Sequence, residues 1–168
     1  MSLREQNPRP RIVEADFADP AHCVGIVEVL NSYAADPVGG GKPLASEVRE
    51  RLVPALRDHP SALVLLALVG DRPAGVAICF FGFSTFQARP LLNIHDLAVV
   101  PEHRGRGIGR GLLAAAEDRA ISHGCCKLTL EVQDDNSRAR ALYEGFGFSD
   151  FVVGESATLT RFLTKPLR

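Results

Sequence analysis

One stretch of the chain restricts its fold more than any other, because it joins a long strand to a helix through a turn that is almost half glycine. The segment Leu91–Val100 reads as a strand that Pro101 closes, and residues 104–111 then read R-G-R-G-I-G-R-G. Apolar residues repeat at a spacing of about four in the helix that follows, at Ile108, Leu112, Ala116 and Ala120. Gly124 ends that helix and Lys127–Val132 forms the next strand, so the pattern predicts a right-handed βαβ unit.

The remaining patterns place further strands and helices around this unit. We predict strands at Arg11–Ala15, Ala62–Val69, Ala74–Phe83, Phe148–Val153 and Thr158–Leu163, and helices at Asp19–Ala34, from Ser46 to near Pro60, and from Asn136 through Phe146. The order β-α-α-β-β-β-α-β-α-β-β predicts an α/β or α+β fold with a mixed sheet. With 168 residues and no linker, residues 1–168 are expected to be a single domain with a loose tail at 1–9.

Composition argues against several classes of partner. The net charge is −1, which disfavours nucleic acid, and the longest apolar run has eight residues, too few to span a membrane. The N-terminus lacks the apolar core of a signal peptide. The four cysteines, Cys23, Cys79, Cys125 and Cys126, form no C-x-x-C pair, so we expect reduced thiols, a cytoplasmic protein and no metal site.

The glycine-rich turn has the chemistry of a phosphate site. A helix N-terminus offers unpaired backbone N–H groups, glycine lets an anion approach them, and arginine adds charged donors. The dinucleotide pattern G-x-G-x-x-G fails at Arg110, and the P-loop pattern fails because no Gly-Lys-Ser/Thr follows. A glycine-rich surface turn is the alternative that this motif alone leaves open.

The motif and its flanks resemble the GNAT superfamily of N-acetyltransferases. Arg104-x-x-Gly107-x-Gly109 fits that superfamily's Arg/Gln-x-x-Gly-x-Gly/Ala signature, which binds the pyrophosphate of acetyl-CoA. The segments H-D-L-A-V-V-P-E-H-R-G-R-G-I-G and D-D-N-S-R-A-R-A-L-Y-E-G-F-G-F are similar to its central strand with loop and to its next helix. The resemblance covers residues 74–153. It implies a mixed, strongly twisted central sheet of six to seven strands with about four flanking helices.

The resemblance also implies a set of acetyl-CoA-binding residues. On the central strand, the backbone of Leu97, Ala98 and Val99 would pair with the pantetheine arm like an added strand. The pyrophosphate would be wrapped by Arg104, Gly105, Arg106, Gly107, Ile108, Gly109 and Arg110. In the later helix Asn136, Arg140 and Tyr143 have the spacing i, i+4, i+7 of one face, although Asn136 also suits a helix N-cap. Ala139, Leu142 and Phe146 are expected in the core.

Two side chains are candidates for proton transfer. By resemblance, Tyr143 donates a proton to the departing CoA thiolate. His95 is a candidate general base for the acceptor amine, because histidine exchanges protons near neutral pH. Strand alternation would place His95 and Leu97 on one face and Asp96 on the other. A structural role for either side chain is the alternative. The other histidines, among them His103, are interpreted as surface residues.

The function that follows from the resemblance is acetyl-CoA-dependent N-acetylation of a primary amine on a small molecule or a peptide. The segment F-S-T-F-Q-A-R-P with I-H-D-L-A-V is most similar to the small-amine (spermidine/spermine-type) acetyltransferases, which usually carry an acidic residue where His95 stands. A homodimer is common among these relatives. Two alternatives remain: a CoA-binding regulatory protein without turnover, and an acyltransferase with a different acyl donor. The sequence does not name the acceptor.

Overall fold

The structure, a computed structural model, describes residues 8–152 and 162–167. Within these residues the chain forms five β-strands and four α-helices. In chain order they are β1 (Arg11–Glu14), α1 (Pro20–Ala35), α2 (Ser46–Asp58), β2 (Ala62–Val69), β3 (Arg72–Ser84), β4 (Arg89–Val99), α3 (Ile108–Ser122), β5 (Leu128–Leu130) and α4 (Ser137–Phe146).

The strands form one sheet in the order β1-β2-β3-β4-β5. Neighbours from β1 to β4 are antiparallel, whereas β4 and β5 are parallel and are connected through α3. The mixed α/β fold and the predicted element order through α4 are therefore confirmed. In the described residues the sheet has five strands, fewer than the predicted six to seven.

The strand predicted at Phe148–Val153 is wrong over its described part, because residues 148–152 join no sheet. The amide of Phe148 instead donates to the carbonyl of Tyr143 at 3.0 Å and so closes the end of α4. Val153, and residues 158–161 of the strand predicted at Thr158–Leu163, lie outside the described residues.

The core lies on both faces of the sheet, and the apolar run of β2 shows why. Leu63, Leu65 and Ala67 pack into the cluster around α3, on one face. Val64, Leu66 and Leu68 pack with α1 and α2, on the other. Because alternate side chains of a strand point to opposite faces, a strand between two helical layers must be apolar throughout. The sandwiched sheet leaves the carboxyl end of β4 and the start of α3 at the edge of both layers.

Candidate active site

A cavity of about 320 Å³ lies at the carboxyl end of β4, between the start of α3, the face of α4 and the end of α1. Most of the predicted cofactor-binding residues line it, together with the proposed proton donor Tyr143. They are Leu97, Ala98, Val99, Arg104, Gly105, Gly107, Ile108, Gly109, Arg110 and Asn136. Arg106 and Arg140 are not among the lining residues, and neither is His95. The fold therefore brings the two sequence motifs, about thirty residues apart, to one cavity.

The edge of β4 that faces the cavity has backbone groups free for a partner. β5 pairs with β4 only from Leu92 to Ile94, so no described strand pairs with β4 beyond that point on this side. Ala98 is paired with Val76 of β3. Two residues further along, the amide of Val100 donates to the carbonyl of Ala74, which follows the same pattern, at 3.0 Å. Antiparallel alternation then directs the N–H and C=O groups of Leu97 and Val99 away from β3 and toward the cavity.

The glycine-rich loop combines a helix N-terminus with left-handed glycines. Gly107 precedes α3 with φ +79° and has no side-chain cap, and Gly105 has φ +75°. A Cβ at either position would meet no atom within 4 Å, so the backbone conformation, rather than lack of space, requires glycine here. The first amides of α3 therefore face the cavity without an intrahelical partner, which is the arrangement that binds phosphate groups.

Arginines hold the two sides of this loop in place. Arg104 donates from Nε to the Val99 carbonyl at 3.0 Å and pairs with Asp36 at 3.0 Å. Arg110 donates to the carbonyl of Gly145 at 3.0 Å, and its guanidinium lies over the ring of Phe146. These contacts connect the loop to α1 on one side and to α4 on the other.

The face of α4 that meets the cavity differs from the predicted one. Asn136 caps α4, its Oδ1 accepting the Ala139 amide at 3.1 Å, and it also lines the cavity, so both predicted positions hold at once. Leu142 and Phe146 pack against the α3 cluster, as predicted, while Leu142 also lines the cavity together with Ala139. The guanidinium of Arg140 is drawn away by ion pairs with Asp134 at 2.7 Å and Glu144 at 3.4 Å.

Tyr143 has the protonation state that a proton donor needs. Burial, followed by electrostatic interaction with Tyr33 and Asp96, raises the pKa of its hydroxyl to about 12. The hydroxyl is therefore protonated at every pH at which the protein would work. Its ring packs edge-on against Phe148, at 5.9 Å between centroids, which fixes its direction.

A β-bulge in β4 sets the positions of two further titratable side chains, those of His95 and Asp96. Ile78 of β3 pairs with Asp96 and the next β3 residue pairs with Ile94, so His95 is the extra residue. Asp96 lies opposite Ile78 on the α1 face and Leu97 packs in the α3 cluster, so these two side chains point to opposite faces, as predicted. The prediction that His95 shares the face of Leu97 is wrong. The ring of His95 lies edge-on to Phe80, 5.6 Å between centroids, on the α1 face as well.

His95 and Asp96 differ in their surroundings. His95 is exposed, whereas Asp96 is partly buried. Burial raises the pKa of Asp96, and the neighbouring His95 acts in the opposite direction. The carboxylate makes no hydrogen bond or ion pair with any residue in 8–152 or 162–167, and its charge raises the pKa of Tyr33 and Tyr143. It is thus an unpaired acid close to the cavity tyrosines.

Three lining residues escaped the sequence analysis: Tyr33, His103 and Arg138. Asp36 and Val38 lie in the loop 35–43 between the first two helices, which the family resemblance implies lines the acceptor side. Tyr33 and Asp36 end α1, and only the packing of α1 across the sheet brings them to β4. His103, interpreted as a surface residue, lies within the loop. Of these residues, Arg138 was the one that the sequence could have indicated, because it is a basic residue in the first turn of the helix that carries Tyr143.

Two further properties concern the described residues as a set. No group of three or more His, Cys, Asp or Glu side chains in 8–152 and 162–167 is arranged to hold a metal ion. No helix in that part of the chain has both the length and the apolar character required to cross a membrane.

Comparisons with known proteins show which proteins the chain resembles. A thialysine N-epsilon-acetyltransferase of Bos taurus is 34% identical over 99 residues, which cover 59% of this chain and 58% of that protein, less than two thirds of its length. The protein of the same name from Mus musculus is 29% identical over 154 residues, covering 92% of this chain and 83% of that protein.

A solved aminoglycoside acetyltransferase from an uncultured soil metagenomic sample, in complex with sisomicin, has a TM-score of 0.72 at 20% identity. That alignment covers 90% of this chain and 97% of the other, and at this identity the likeness concerns the fold. A model of the acetyltransferase (GNAT) family matches residues 26–148, which is well over half of the chain. The chain therefore belongs to the acetyltransferase (GNAT) family.

Proposed function

We propose that the protein is an N-acetyltransferase that moves an acetyl group from acetyl-CoA to the primary amine of a small molecule or a peptide. One observation carries the proposal: a phosphate-binding loop, an open strand edge and a protonated tyrosine line one continuous cavity. Thialysine N-epsilon-acetyltransferases among the relatives support an amine as the acceptor class.

Each part of the cavity fits a different part of the donor. The N-terminus of α3, with Arg110 beside it, suits the pyrophosphate. The outward groups of Leu97 and Val99 suit the amides of the pantetheine arm, as an added strand would. The Val99 carbonyl already accepts from Arg104, so the two N–H groups and the Leu97 carbonyl remain for substrate. Either N–H is placed to stabilise the oxyanion that forms at the thioester carbon.

The chemistry needs a proton removed from the amine and a proton supplied to the thiolate. The amine nitrogen attacks the thioester carbon, a C–N bond forms and the C–S bond breaks. Tyr143 supplies the proton to sulfur, since its raised pKa keeps the hydroxyl protonated. His95, at the bulge and open to solvent, takes the amine proton through water, with the unpaired Asp96 beside it to hold the cationic amine before attack.

A two-step experiment tests this function. Acetyl-CoA should raise the melting temperature, and acetate at the same concentration should not. Thiol release is then measured with thialysine, spermidine, sisomicin and a peptide with a free N-terminus, using acetyl-, propionyl- and succinyl-CoA as donors. Binding of acetyl-CoA without thiol release from any amine would refute turnover and leave a CoA-binding protein. Release only with a longer acyl donor would refute acetyl transfer.

A further inference from the structure

The Arg104 side chain is directed at the end of α1, although its sequence motif is one that binds pyrophosphate. Its Nε donates to the Val99 carbonyl and its terminal nitrogen pairs with Asp36, both at 3.0 Å. Both partners of the ion pair are largely shielded, with 27% of the Arg104 and 19% of the Asp36 side chain exposed. The planar guanidinium is thus already held by two acceptors, one of which is a carboxylate.

Asp36 is the residue around which the connection between α1 and α2 folds. We call residues 36–45 the α1–α2 loop. The carboxylate caps the short 3-10 turn that follows, accepting the Val38 amide at 3.0 Å, while the Asp36 carbonyl accepts the amides of Gly39 at 2.8 Å and Gly41 at 2.9 Å. Because Asp36 accepts three amides of this loop, its ion pair with Arg104 couples the position of the loop to Arg104.

The charge on Asp36 is stable over the pH range that matters. The Val38 N–H and, after it, the Arg104 guanidinium lower the pKa of the carboxyl below its ordinary value. Asp36 is therefore ionised at neutral pH, and the ion pair would be lost only in acid, as the pH falls through that lowered value. A carboxylate here also cancels the charge of Arg104 toward a phosphate.

The same ion pair fixes one wall of the cavity. Tyr33, one turn before Asp36, and Val38, two residues after it, both line the cavity, as do Asn136 and Tyr143 of α4. We propose that Asp36 is a positioning residue, which through Arg104 holds the α1–α2 loop and Tyr33 as the wall that meets the acceptor amine. The ion pair then sets the KM for the acceptor and not the affinity for acetyl-CoA. The kinetic part of this proposal rests on the proposed function.

Asp36→Asn is the variant that isolates the ion pair. Its amide oxygen can still cap the Val38 N–H, but it has no charge for Arg104. Asp19→Asn is the matched control, because Asp19 caps the other end of α1 through the Ala21 amide at 2.8 Å and lies outside the cavity. We expect Asp36→Asn to raise the acceptor KM on the order of tenfold, as misplaced binding groups do, with acetyl-CoA affinity by calorimetry equal or tighter. Asp19→Asn should change neither.

Hydrogen exchange supplies a measurement that does not depend on turnover. Amides of Gly39 and Gly41 should exchange faster in Asp36→Asn than in Asp19→Asn, and Arg104→Gln should reproduce the effect. The double variant should be no worse than Arg104→Gln alone, because Arg104→Gln already removes the ion pair with Asp36.

Two results would overturn the proposal. Unchanged protection of the loop amides in Asp36→Asn would show that the ion pair does not hold the loop. Weaker acetyl-CoA binding with an unchanged acceptor KM would assign the pair to the donor site instead. If the wild-type protein acetylated no amine, the proposed function would fail, while exchange and acetyl-CoA binding would still decide whether the loop is held by Arg104.

Discussion

Gly107 and Gly124 stand at the two ends of α3 with nearly the same backbone, φ +79° and +69°, and neither would bring a Cβ within 4 Å of another atom. Only Gly107 lines the cavity. Alanine at either position should therefore cost about 1–2 kcal/mol of stability, the penalty for a left-handed L-residue. Gly107→Ala should also weaken acetyl-CoA binding, measured by calorimetry, whereas Gly124→Ala should not. Equal affinities in the two variants would contradict a phosphate site at the start of α3.

Tyr143 allows a clean separation of binding from chemistry. Tyr143→Phe removes one hydroxyl and keeps the ring that packs against Phe148. We expect kcat to fall by roughly 10²- to 10⁴-fold, the usual contribution of a general acid, with little change in acetyl-CoA affinity. Single-turnover kinetics with calorimetry would test this. A kcat that stays the same when chemistry limits the rate would remove Tyr143 from the mechanism.

The His95 assignment predicts a change in pH dependence. A base must be deprotonated to act, so it contributes an acidic limb to kcat/KM beyond the one that protonation of the acceptor amine produces. In His95→Ala the contributed limb should disappear along with most of the activity, while Asp96→Asn should keep the limb and raise the acceptor KM. The reverse pattern, with the limb lost only in Asp96→Asn, would transfer the role of base to the carboxylate.

At the scale of the elements, a glycine can also be required because there is no space for a Cβ where two elements pack together. Gly25 of α1 is buried against β3, where a Cβ would come within 2.2 Å of Pro73 Cγ. Gly25→Ala should destabilise the protein by about 1–3 kcal/mol through overpacking. Gly145 of α4 would bring its Cβ near no atom, so Gly145→Ala should stabilise by about 0.5–1 kcal/mol. In thermal unfolding, the melting temperature should therefore fall in Gly25→Ala and rise in Gly145→Ala. Melting temperatures that shift in the same direction in both variants would contradict this packing.

The sequence predicted the elements better than the register between them. Periodicity placed four helices and five strands in the correct order, because each needs only its own apolar pattern. The bulge at His95 could not be predicted, because it depends on the pairing register between β3 and β4 and not on the apolar pattern of either strand. Tyr33 was missed for a related reason: its helix reaches the site through tertiary packing. The glycine-rich loop was predictable because its chemistry is local.

At the scale of the whole molecule, Cys79 reports on the integrity of the sheet. The thiol is buried in the central strand β3, and this burial raises its pKa to about 12. Native Cys79 should therefore resist iodoacetamide, while the partly buried Cys23, Cys125 and Cys126 label earlier. Mass spectrometry across a urea titration should show Cys79 labelling only with global unfolding. Labelling well before the main transition would contradict a single cooperative sheet.

The β-bulge at His95 also bears on which chain lengths this fold accepts. Replacing His95 removes an imidazole and leaves the strand as it is. Deleting it would remove the bulge and join Ile94 to Asp96, which already pair with consecutive residues of β3, so Asp96 and Leu97 would keep their faces. A one-residue deletion after the bulge, at Leu97 for example, would instead exchange the two faces over the half of β4 that forms the cavity. The place of a deletion in β4 therefore matters more than its length, and loss of the bulge residue should be far less harmful to folding than a gap further along the strand.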